Sequence, residues 1–190
     1  MIVDVGGGTS EVAVISLGGI VVSRSVRVGG YDLDEAIGAH IRNAHRMAIG
    51  SRSAEAIKLE IGSAAPLTPE IEAEVGGRDL LSGLPRELRL GSAEVRRAID
   101  GPLSEILAAL QETLEETPPE LASDIVRHGI LLAGGGSLLH AFAERVHAQT
   151  GMPVHLAESP LTCVAVGAGH ALEELDVLAR SRRSARRARS

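Results

Sequence analysis

The sequence predicts an α/β protein. A large unit, residues 1–48 and 92–179, carries a mixed sheet, and a small α+β lobe, residues 49–91, is inserted into it. Three observations lead there. Apolar runs of period two sit between glycine pairs and triplets at the start of the chain. Apolar stripes at helical spacing follow. A strand, three glycines and a helix then recur late in the chain. With 44% hydrophobic residues and 22 Gly in 190 residues, there is enough apolar surface to build such a core.

Ile2 to Val5 is a short strand ending in Gly6, Gly7 and Gly8. Glu11 to Ser16 follows, and Gly18-Gly19 turns the chain into Ile20 to Val28, where Val22, Val26 and Val28 alternate with Ser23, Ser25 and Arg27. Three strands joined by glycine turns make an antiparallel meander. After Gly29-Gly30, Asp32 and Glu35 predict a capping box for a helix burying Leu33, Ile37 and Ile41. Ser53 is placed to cap a helix through Ile61, with Ala54, Ile57 and Ile61 on one side. The strands IEAEV, closed by Gly76-Gly77, and ELRL, closed by Gly91, complete the small lobe.

A long helix is expected from Ser92, with Val95, Ile99, Leu103, Leu107, Leu110 and Leu114 inward and Gly101-Pro102 kinking or dividing it. Pro118-Pro119 starts a shorter helix that Gly129 ends. Ile130 to Ala133 is a strand leading to Gly134, Gly135 and Gly136. Ser137 then caps a helix carrying Leu138, Leu139, Phe142 and Val146, which Gly151 stops. Pro153 to Leu156 is a further strand. A last helix from Leu161 presents the stripe Val164, Ala168, Ala171, Leu175 and Leu178.

Composition removes several function classes. Tyr31 and Phe142 are the only aromatics, so the platforms on which single-stranded nucleic acids stack are missing. One cysteine, Cys163, forms neither an internal disulfide nor a cysteine-ligated zinc site, and is expected as a buried thiol in a cytoplasmic protein. The segment from Arg180 to Ser190 holds six Arg and no acid, so the rest is more acidic than the net charge of −6 suggests, and no nucleic acid is expected. Membrane contact is expected only through that basic tail. His40 and His45 stand five apart and His140 and His147 seven apart, so neither pair shares a helical turn and no metal site is expected.

The glycine turns are the candidate site. Without Cβ atoms, backbone N–H groups converge on an anion. A P-loop is excluded because neither turn has a lysine, and a dinucleotide fingerprint because Glu11 replaces its third glycine and a strand follows. A β-hairpin tip remains, flanked by Asp4, suited to orienting a metal-bound water, and by Thr9, suited to a phosphate oxygen. A plain tight hairpin fits those glycines equally. The second turn, Gly134 to Ser137, is either a ligand-approaching loop or an ordinary strand-to-helix connection. Glu55 and Lys58, three residues apart, either grip ribose hydroxyls or form an exposed ion pair.

Taken together, DVGGGTSEVAVIS, VGGYDLDEAI, EAIKLEIGSA, PPELASDI, LLAGGGSLL and ESPLTCVAVGAG resemble the second half of the MreB family, the bacterial actin-like cell-shape proteins. The resemblance covers Met1 to about Leu175. It implies an actin-like ATPase (ribonuclease H-like) fold, with the meander in the second large subdomain. By position, Gly6, Gly7, Gly8 and Thr9 match the phosphate loop that clasps the β- and γ-phosphates of ATP, and Asp4 matches the aspartate that holds Mg2+ through water. Glu55 and Lys58 match the adenosine pocket, as do Gly134, Gly135, Gly136 and Ser137.

The implied role is an ATP-binding filament component in rod-shape maintenance and peptidoglycan synthesis. The implied partners are other MreB-like subunits and membrane wall-synthesis proteins such as MreC or RodZ. A whole family member is about twice as long, and its other half would carry the first phosphate loop and the acid that polarises the attacking water. These residues are therefore expected to supply a half-site, with hydrolysis not expected from them alone. The alternatives are a truncated or inactive fragment acting as an interaction module, and a kinase or chaperone ATPase of the same superfamily. The last helix, which lies between the two halves in the family, is expected to leave part of its apolar face uncovered and to drive self-association.

Overall fold

A computed structural model describes residues 1–173; Leu175, Leu178 and the basic tail lie outside the described residues. The first strands are β1 (Ile2–Val5), β2 (Ser10–Ser16) and β3 (Gly19–Val26), then helix α1 (Gly30–His45). A short strand β4 (Met47–Ala48) and helix α2 (Ser51–Ile61) precede β5 (Glu72–Asp79) and β6 (Pro85–Gly91). Helices α3 (Ser92–Glu115) and α4 (Pro119–His128) lead to β7 (Ile130–Ala133), a 3-10 turn (Gly135–Leu138), α5 (Phe142–Thr150), β8 (Val154–Leu156) and α6 (Cys163–Glu173).

The five-stranded sheet has the order β3-β2-β1-β7-β8. The meander is antiparallel, whereas β1–β7 and β7–β8 are parallel, so the sheet is mixed as the sequence predicts. Register aligns one apolar face: Val12 sits opposite Val3, Val3 opposite Leu132, and Val14 opposite Val22. Val3, Val12, Val14, Leu132 and Ile130 are all buried, with Leu33, Ile37 and Ile41 of α1 and the inward stripe of α3 in the same core. Arg24 shares the valine face of β3 and pairs with Glu112 of α3 at 2.7 Å and with Glu116, the C-cap of that helix, at 2.5 Å. Ser10, fully buried, donates to the Val28 carbonyl at 2.7 Å, which removes the penalty of an unpaired buried hydroxyl.

Several expectations need correction. α1 begins at Gly30 with Gly29 as its N-cap, so Asp32 is the third helical residue and accepts from the Gly29 N–H at 2.8 Å. The helix starts early because glycines 29 and 30 pack on the hairpin tip, as described below. Ser53 lies inside the first turn of α2, whose N-cap is Gly50. β5 does not stop at Gly76-Gly77 but continues to Asp79. There it pairs with β4, and a Cβ at Gly77 would stand 2.7 Å from the Ala48 carbonyl. Gly77 thus permits a close third strand rather than ending the second.

Helix α3 runs unbroken through Pro102. A mid-helix proline costs about 3 kcal/mol. Its fully buried neighbours Ile99, Leu103, Ile106 and Leu107 contribute about 1.5–3 kcal/mol each and outweigh it. Ser137 caps no α-helix: it sits in the 3-10 turn and α5 starts only at Phe142. Cys163 is half-buried, its thiol near the Pro160 carbonyl.

The second sheet has the order β4-β5-β6, and α2 packs against β5. Glu70, just before β5, ties this region to α3: it accepts from Arg96 at 2.7 Å and from the Ser92 hydroxyl. Those donors hold its carboxyl down at about 2. α6 buries none of its residues, and Val164, Val166 and Leu172 stand 60, 52 and 68% exposed. No helix is long and apolar enough to cross a membrane among the described residues.

Candidate functional site

The parallel pairing of β1 with β7 places Asp4 opposite Ala133, so the two glycine turns leave the sheet side by side at the carboxyl ends of adjacent strands. Open α/β sheets bind ligands at such ends. The contact between the turns is intimate. Gly134, at φ +79°, lies so close to Asp4 and Val5 that a Cβ would collide with both, and one at Gly136 would run into the Val5 side chain. Only glycine satisfies both the left-handed backbone and the approach at Gly134.

The first turn is a hairpin tip in which the Gly6 N–H donates to the Thr9 carbonyl at 2.9 Å. Gly7, Gly8 and Thr9 are exposed, and among the described residues their N–H groups have no protein acceptor. Three successive unspent donors make an electropositive tip, with the Tyr31 ring lying against Gly7. Behind it stand residues that the sequence reading passed over. The Gly30 N–H donates to the Gly6 carbonyl at 2.9 Å and the Tyr31 N–H to the Gly7 carbonyl at 2.7 Å. The start of α1 therefore takes up the carbonyls of Gly6 and Gly7, while the N–H groups of Gly7, Gly8 and Thr9 stay unspent. A Cβ on Gly29 would lie 2.6 Å from the Gly6 carbonyl. The glycine pair directly before a helix was the available signal.

The second turn closes on itself. The Gly134 N–H donates to the Pro160 carbonyl at 2.9 Å, and the buried Ser137 hydroxyl donates to the Gly134 carbonyl at 2.6 Å. Ser137 therefore shapes the loop from within. The N–H groups of Gly135 and Gly136 have no protein acceptor among the described residues.

Glu55 and Lys58 do not pair as an exposed couple. Glu55 is exposed on α2, whereas the Lys58 side chain is only 13% exposed. Its ammonium lies 2.8 Å from Asp34 Oδ1 and donates to the Gly30 carbonyl at 2.9 Å. Burial pushes the Asp34 carboxyl up; Lys58 opposes that and Glu55 adds to it. Lys58 thus joins α2 to the start of α1. It also lines a cavity of about 30 Å3 with Gly135, Gly136, Leu138 and Leu139 of the second turn. Asp34 was missed because it follows Leu33 on a helical stripe, where its sequence neighbours give no hint of the lysine 24 residues on. The arrangement offers free N–H donors for an anion, a carboxylate at their root in Asp4, and a lysine and glycine loop on the adjoining side.

The MreB/Mbl protein family matches residues 1–180. The chain is 51% identical over 177 residues to the cell shape-determining protein MreB of Escherichia coli, covering 93% of this chain and 51% of that protein. It therefore spans about half the length of the curated relatives it matches. Among solved structures it is similar to MreB5 of Spiroplasma citri bound to ADP, with a TM-score of 0.88 and 40% identity, over 92% of this chain and 53% of that one. The same protein bound to AMPPNP also gives 0.88, at 38% identity, over 95% and 54%. A MamK double helical filament shares the fold at 23% identity, with a TM-score of 0.70, over 84% and 49%.

Proposed function

Because the chain belongs to the MreB/Mbl family of cell shape-determining proteins, we propose that it supplies the second half of an ATP site in an actin-like filament subunit. The observation that carries this reading is the placement of two glycine turns side by side, with unspent N–H groups at Gly7, Gly8 and Thr9. Those donors suit the terminal phosphates, held by backbone dipoles and by the Thr9 hydroxyl. Asp4, an oxygen donor, would hold a hydrated Mg2+ through water, as a hard cation that keeps several waters requires. When bound, the metal neutralises charge on the phosphates. Gly134, Gly135, Gly136 and Ser137 would border the adenosine, with Glu55 and Lys58 opposite. Lys58 does this while held by Asp34, so it positions the wall of the pocket as well as touching it.

These residues form one side of a clamp, so binding by the chain alone is weak, and turnover requires groups from the other half of an MreB-like subunit. Self-association and a role in guiding wall synthesis follow from the same reading. An amide-resolved NMR titration with MgATP tests it. Shifts concentrated at residues 6–9 and 134–137 support the site, and shifts confined elsewhere overturn it. Submicromolar affinity by calorimetry would refute the half-site view.

A further inference from the structure

His40 and His45 sit on different turns of α1, and Glu94 lies in the first turn of α3. The sequence spacing argues against a shared site, yet helix packing brings the three together. Nε2 of His40 lies 2.7 Å and Nε2 of His45 2.6 Å from the same Glu94 oxygen, Oε1. One ligand atom from each residue falls within 4.8 Å of the others. The imidazole planes are inclined at 73°, so the rings approach the carboxylate from two directions. Each side chain is roughly a quarter exposed, at 29, 24 and 25%.

We propose that His40, His45 and Glu94 form a binding site for a divalent transition metal of the zinc class, with a fourth position open to solvent. Two imidazole nitrogens and one carboxylate oxygen are a donor set that zinc accepts, with water in the remaining place. A tetrahedral ion with bonds of about 2.0–2.1 Å separates its donors by about 3.3 Å. The present 2.6 and 2.7 Å contacts therefore need to open by less than an ångström. Partly exposed side chains permit that by small rotations. Both imidazoles must present an unprotonated Nε2, with the proton on Nδ1. Neither Nδ1 has a protein partner among the described residues, so both are free to carry that proton. The bound ion would staple the end of α1 to the start of α3. α1 is also the helix whose other end holds the hairpin tip.

Zn2+ titration of the chain against a chromophoric chelator tests the site, with His45→Gln and Glu94→Gln as variants. The expected result is one equivalent bound, a thermal midpoint raised by Zn2+, and at least tenfold weaker binding in each variant, since even outer-shell losses cost about 10–100-fold. No saturable binding, or binding unchanged by both substitutions, overturns the proposal. Should circular dichroism show that a variant is unfolded, Co2+ added to the wild type decides. Paramagnetic effects on the His40 and His45 ring protons support the site; effects confined to His128, His140, His147, His155 or His170 overturn it.

Discussion

Gly29→Ala isolates the contact that aims the hairpin tip. An alanine Cβ would stand 2.6 Å from the Gly6 carbonyl oxygen and 2.7 Å from that of Gly7, where ordinary contacts begin near 3.4 Å. The backbone at Gly29, φ −160°, is extended and suits alanine, so the cost arises from the contact alone. To make room the tip must retreat by well over half an ångström. That stretches the 2.9 Å bond from Gly30 to Gly6 and the 2.7 Å bond from Tyr31 to Gly7. Overpacking costs about 1–3 kcal/mol, and two weakened hydrogen bonds add about 1 kcal/mol each if lost. The reduced entropy of the unfolded chain returns about 0.4–1 kcal/mol. The net loss is about 2–4 kcal/mol, and with a urea m-value of about 2 kcal/mol/M the midpoint falls by about 1–2 M. Gly38→Ala, inside α1 with nothing within 4 Å, is the control and stabilises by about 0.5–1 kcal/mol. A Gly29→Ala loss below about 0.5 kcal/mol, or equal losses in both variants, would refute the reasoning.

Lys58→Met leaves the Asp34 carboxylate, 8% exposed, without its counter-charge and costs about 3–5 kcal/mol by urea melts at neutral pH. The double variant with Asp34→Asn recovers most of it. Burial already raises the Asp34 pKa above 3.8, and loss of Lys58 raises it further. The native state then binds the proton more tightly than the unfolded chain, so the gap between Lys58→Met and wild type narrows as pH falls toward 4. Glu70 and Asp79 have the opposite sign, each held at about 2 by Arg96 and Ser92 and by the turn at Ser82 respectively. Their stabilisation is full above the unfolded values of 4.5 and 3.8 and is lost as pH falls toward 2. Thermal melts across that range should show the loss, and Glu70→Gln should flatten its share. Sedimentation velocity should find self-association through α6 that Val164→Glu weakens; a monodisperse wild-type monomer at high concentration would contradict this.

Every strand and helix with a clear apolar period was legible from residue types, because burial on one face of a local element leaves its period in the chain. Val3 and Val5, the α1 stripe and the α3 stripe are of this kind. Element ends were less legible. Gly29 and Gly77 act through close approaches to other elements, which local signals such as the Asp32 capping box and the Gly76-Gly77 pair do not report. The same division holds in the site. The two glycine turns announce themselves locally, since a left-handed or crowded backbone needs glycine wherever it occurs.

The sequence by itself therefore determined the α/β class, the meander and the two glycine turns. Only the tertiary structure decided that the turns lie together through the β1–β7 pairing. It alone joined Lys58 to Asp34 and led His40, His45 and Glu94 to one point. Periodicity reports which face of an element is buried, but a contact between polar side chains on different elements leaves no period. Such contacts exist only once the apolar faces have packed and set the distances between the helices.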